Sequence, residues 1–61
     1  MGIRSARLSM NLTQQALAEA LNTQRSTVAM WETGQSKPRA DTLIKLAAIL
    51  DCTVDELLKT N

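Results

Sequence analysis

Histidine, tyrosine and phenylalanine are absent from this 61-residue chain, and cysteine, proline and tryptophan occur once each. Without histidine or tyrosine, and with no second cysteine, acid–base catalysis, metal binding and paired-thiol redox chemistry lose their usual carriers. The only glycines are Gly2 and Gly34, so there is no glycine-rich phosphate loop. No carboxylates cluster at metal-ligand spacing. Ser5, Ser9, Ser26 and Ser36 have no candidate base nearby in sequence. The expectation is therefore a non-enzyme that needs no cofactor, metal or small-molecule ligand. The lone Cys52 cannot close an internal disulfide, which agrees with a reducing compartment. It is expected to be a small buried hydrophobe. No apolar run is long enough to span a membrane, and the N-terminus lacks the long apolar segment of a signal peptide. Cytoplasm is the expected location.

What is present suits one small domain over residues 1–61. A chain of this size buries only about 60% of the surface it exposes when unfolded, with no room for an effector domain or a deep cavity. Apolar residues make up 44% and charged residues 21%, an ordinary globular balance. A net charge of +1 argues mildly against nucleic acid, but the distribution says more. Arg4, Arg7, Arg25, Lys37, Arg39 and Lys45 stand against Glu19, Glu32 and Asp41 up to residue 50, a net of +3. Lys59 alone stands against Asp51, Asp55 and Glu56 beyond it, a net of −2. Such a domain presents either a basic face with an acidic back or an ordinary solvated surface.

The apolar periodicity predicts an all-α fold of five short helices, and the scarcity of β-branched residues argues against strands. The first helix covers about 3–10, with Ile3, Ala6, Arg7 and Met10 on one stripe and Asn11 closing it in a left-handed conformation. Thr13 is a good N-cap for the second helix, whose inner face is Leu17, Ala18 and Leu21. Asn22-Thr23 forms a turn, with Asn22 expected at positive φ. The third helix runs from about 24 to 33, ended by Gly34 and kept from resuming by Pro38. Leu43, Leu46, Ala47 and Leu50 give the fourth helix, about 40–50, its amphipathic stripe. Asp51-Cys52 turns the chain, and Thr53 with Glu56 reads as a capping box for a last helix burying Val54, Leu57 and Leu58.

The stretch from Leu12 to Gly34, LTQQALAEALNTQRSTVAMWETG, concentrates the functional signal. It reads as a helix-turn-helix over about 13–33. On a wheel of about 100° per residue, Val28 and Trp31 fall on the core side of the third helix. Arg25, Ser26, Ala29, Met30 and Thr33 fall opposite, within roughly 140°. One strong cation, hydroxyls and small or flexible apolar groups suit a helix that touches base edges in the DNA major groove. The alternative is a plain helical hairpin. Trp31 is expected in the core. Met30 either fills core space or lies exposed, where it can pack on thymine methyls. Arg7 and Glu32 both face inward, so they either pair bidentately or each snorkels to water.

Taken in order, Ile3 with Arg7, LTQ at 12–14, LA at 17–18, RSTVAMWETG at 25–34, KP at 37–38, TLIKLAAIL at 42–50 and TVDELL at 53–58 resemble the Cro and phage-repressor, or XRE, family of helix-turn-helix regulators. The resemblance implies a lambda-repressor-like fold with the third helix in the major groove. It implies base contacts from Gln24, Arg25, Ser26 and Met30. It implies phosphate contacts from Thr13, Gln14 and Thr33 and from the loop of Gln35, Lys37 and Arg39. It also favours an Arg7–Glu32 pair tying the first helix to the third. Asn22 and Asp51 stand where the family usually has Gly, Gln24 where it often has Ser or Thr, and Met30 where a polar residue is common. Base preference therefore does not transfer.

The resulting expectation is a transcriptional regulator, of repressor type, that binds a palindromic double-stranded operator as a homodimer. The dimer surface is expected around Val54, Leu57 and Leu58, with Leu58 as the spare apolar group. The alternative is the antitoxin half of a toxin–antitoxin pair, a protein-interaction module with secondary DNA binding.

Overall fold

Threonine caps start two helices, and left-handed residues stop four. The computed structural model describes residues 2–59. It contains α1 (Ile3–Ser9), α2 (Gln14–Ala20), α3 (Arg25–Thr33), α4 (Ala40–Ile49) and α5 (Val54–Leu58), with no strand among the described residues. The Thr13 hydroxyl accepts from Ala16 N–H at 3.0 Å. Thr53 accepts from Glu56 N–H at 3.1 Å while the Glu56 carboxylate accepts from Thr53 N–H at 3.0 Å, closing the capping box. That backbone bond and the Thr53 hydroxyl hold the Glu56 carboxyl below the ordinary carboxylate range.

Asn11, Asn22 and Asp51 have φ of 58°, 56° and 54°, and Gly34 has 83°. In each case the next residue donates its N–H to the carbonyl five positions back. The pairs are Leu12 to Arg7 (3.1 Å), Thr23 to Ala18 (2.9 Å), Cys52 to Ala47 (3.0 Å) and Gln35 to Met30 (3.0 Å). This is the long bond of the Schellman motif, and it satisfies carbonyls that a helix end leaves open. Asn and Asp tolerate the left-handed region better than other residues with a Cβ. That tolerance is why three stops need no glycine.

Ile3, Ala6, Leu17, Ala18, Val28, Leu46, Leu50 and Leu57 form the core. Helix α2 packs on α3 and α4 on α5, and α1 bridges α3 and α5. Ala18 is fully buried, and its small side chain permits a close approach of neighbouring helices.

Several expectations are corrected. Met10 caps α1 outside the helix and is exposed, because the chain is already turning into Asn11. Trp31 and Cys52 are half-buried and pack over the core edge. Trp31 instead walls a surface trough with Ile3, Pro38, Leu43, Leu57 and Leu58. Burial raises the Cys52 thiol pKa, and the charges of Glu56 and Asp51 raise it further. Leu57 is only 5% exposed, so the core has consumed the surface it was expected to offer a partner. Val54 is half-buried, and Leu58 is 58% exposed.

Candidate nucleic-acid interface

Helix α3 is anchored by one side and free on the other. Val28 has no exposed surface. Arg25, Ser26, Met30 and Thr33 are exposed, and Ala29, on the same outer arc, is half-buried. Gln24 is the N-cap, but its side chain makes no capping bond. It is exposed beside Arg25 at the start of the helix. At the other end, the Met30 carbonyl accepts from Gln35 N–H at 3.0 Å, from the Thr33 hydroxyl at 3.3 Å and from Ser36 N–H at 3.4 Å. The loop that follows exposes Gln35, Lys37 and Arg39. Among the described residues, no salt bridge engages Arg25, Lys37 or Arg39. Their charges therefore face solvent unneutralised by any close carboxylate.

A buried ionic clamp holds this helix to α1. Arg7 Nε donates to Glu32 Oε2 at 2.7 Å and Nη2 donates to Oε1 at 3.2 Å, a bidentate pair. The two side chains are 9% and 3% exposed. Arg7 Nη1 also donates to the Leu12 carbonyl at 2.7 Å, tying in the α1–α2 connection. Gln14 Nε2 donates to Glu32 Oε1 at 3.1 Å, so α2 joins the same carboxylate. Burial pushes the Glu32 carboxyl pKa up. The bonds from Arg7 and Gln14 and the charges of Arg7 and Arg4 outweigh that, leaving it below the ordinary range.

The family resemblance implies a phosphate contact for Gln14, and one of its amide protons is already engaged by Glu32. An amide carries two N–H donors and a carbonyl, so a second donor stays available at the N-terminus of α2. The Thr13 oxygen accepts from its own helix, and its hydroxyl proton remains a donor. Sequence reasoning did not find the Gln14–Glu32 and Arg7–Leu12 bonds. The one available signal was the choice of long polar side chains at Gln14 and Arg7, next to turns that helix packing brings together.

Among the described residues, no helix is long and apolar enough to cross a membrane. The helix-turn-helix family profile matches residues 3–57. The chain is 36% identical over 56 residues to the HTH-type transcriptional activator BcrR of Enterococcus faecalis, covering 92% of this chain and 28% of that protein. It is 37% identical over 51 residues to the HTH-type transcriptional regulator DicA of Escherichia coli (strain K12), covering 84% and 38%. It is 37% identical over 57 residues to the uncharacterized HTH-type transcriptional regulator YqaE of Bacillus subtilis (strain 168), covering 93% and 49%. The chain thus spans less than half the length of these relatives. No solved structure gives a significant match. With five helices among the described residues, a left-handed turn between α2 and α3 and a profile match over most of its length, the chain belongs to the XRE-type helix-turn-helix family.

Proposed function

We propose that this chain binds double-stranded operator DNA, with α3 in the major groove, as the DNA-reading unit of a cytoplasmic transcriptional regulator that represses by occupying its site. The observation carrying the proposal is the division of α3, with Val28 locked in the core and Arg25, Ser26 and Met30 exposed on the far side. Exposed Lys37 and Arg39 follow directly and give the same region charge for phosphates. Gln24, Arg25, Ser26 and Met30 read bases in this proposal. Thr13, Gln14, Thr33, Gln35, Lys37 and Arg39 hold the backbone. The similar proteins, one named a transcriptional activator and one a transcriptional regulator, support the DNA-binding regulator part of this reading.

Selection of bound sites from random duplexes tests it, and a consensus with two-fold symmetry is the expected result. Two copies each neutralising two phosphates through Lys37 and Arg39 give log K a slope of about −3.6 against log salt, at about 0.9 per phosphate. A flat salt profile, or equal affinity for every sequence, overturns the proposal.

The homodimer reading rests on Leu58, a large apolar side chain 58% exposed on the last helical turn and next to the Trp31 trough. Two chains related by a two-fold axis read half-sites about 34–36 Å apart. In analytical ultracentrifugation with a palindromic duplex, the wild type is expected to saturate at two chains per duplex. Leu58→Glu is expected to require higher protein concentration to reach that state. One chain per duplex at saturation rules the dimer out.

A further inference from the structure

Met30 is the one large apolar side chain exposed on α3; the other exposed large hydrophobics, Leu8, Met10, Ile44 and Leu58, lie outside that helix. It is 37% exposed and belongs neither to the core nor to the partly buried residues packed against it. Its backbone is tied to the loop that follows, because its carbonyl accepts from Gln35 N–H, Ser36 N–H and the Thr33 hydroxyl. The side chain therefore projects from a held point on the same exposed side as Arg25 and Ser26. A thioether has no proton to donate and accepts only weakly. The major-groove edges of the bases are hydrogen-bond donors and acceptors, except for the methyl group at C5 of thymine. Cytosine carries a methyl at the same atom only when it is 5-methylated. A flexible, polarisable methionine can follow such a methyl to contact, while the groups beside it on α3 make polar contacts.

We propose that Met30 is a specificity-determining residue that reads a pyrimidine C5-methyl, so that the chain discriminates methylated from unmethylated pyrimidine at one position of each half-site. The inference rests on the DNA-binding reading above and adds the chemical group recognised. A cytosine at that position makes binding responsive to DNA methylation.

The test uses the duplex selected from the random library. Each thymine is replaced in turn by deoxyuridine, which removes only the methyl. At one symmetric position the wild type is expected to lose about fourfold in affinity per half-site, the size that burial of one methyl group implies. At that same position, a cytosine and a 5-methylcytosine duplex are compared, and the methylated one is expected to bind about fourfold tighter per half-site. A thymine effect without a methylcytosine effect restricts the readout to thymine and overturns the methylation response. Met30→Ala is expected to bind the parent duplex more weakly and to bind the thymine and uracil duplexes equally, while its discrimination at the other base positions persists. If no thymine position distinguishes thymine from uracil, or if the distinction survives in Met30→Ala, the inference is wrong while the DNA reading stands. If no duplex is preferred at all, the DNA reading fails and takes this inference with it.

Discussion

Arg7→Ala is expected to remove a large share of the protein's stability. The substitution removes both bonds to a Glu32 side chain that is 3% exposed and the donor to the Leu12 carbonyl. Stranding one member of a buried ion pair costs about 3–5 kcal/mol. A chain of this size has a total stability of about 3–9 kcal/mol, so the loss is comparable with the whole. Glu32→Ala strands Arg7 and is expected to fall in the same range. The double variant leaves no orphaned charge and is expected to lose less than the two singles combined. Urea titration followed by the single Trp31 reads all four states, and additive losses show that the pair does not act as a unit. The same clamp predicts an acid dependence. The Glu32 carboxyl lies below its ordinary range when folded, so it contributes stability that is present above the unfolded value of about 4.3. That contribution is lost as the pH falls through the folded value. Wild type is therefore expected to weaken below about pH 5, and Glu32→Gln, already weakened at neutral pH, to show a flatter decline.

Arg25→Ala is expected to cost roughly 1–3 kcal/mol at the preferred DNA site and to relax one base position there. Arg25 is the first residue of α3, is exposed and has no salt-bridge partner among the described residues. A guanidinium so placed can donate two bonds to O6 and N7 of one guanine, and those bonds vanish for any other base. Lys37 sits in the loop after α3. Lys37→Ala is expected to weaken all duplexes alike and to lower the salt slope by about one per chain. Repeating the site selection with each variant separates the roles. A uniform loss for Arg25→Ala with an unchanged consensus makes Arg25 a phosphate contact.

Positions of the helix ends were legible because their causes are local. Thr13 and Thr53 act on an N–H three residues ahead, and Asn11, Asn22, Asp51 and Gly34 act within one turn. The two-sided character of α3 was legible for the same reason, since a period of 3.6 residues sorts Val28 from Arg25 without knowledge of any neighbour. The error at Met10 was also local, because a stripe extrapolated by period ignores the turn that ends it. Trp31 and Leu57 show the opposite limit. Both are apolar and inward by period, yet which of them is sealed and which forms the rim depends on how many elements meet above each.

By itself, the sequence determined the five helices, their stops and the face of α3 that is left free, because each follows from the backbone preferences and spacing of residues within a few positions. Only the tertiary structure decided that Arg7 and Glu32 meet rather than snorkel, that Gln14 joins them, that Leu57 is sealed and that Leu58 is left outside. These depend on how helices cross. The crossing sets distances between residues up to 25 positions apart, and a charged side chain near the core edge can be satisfied by water or by a partner until that distance is known.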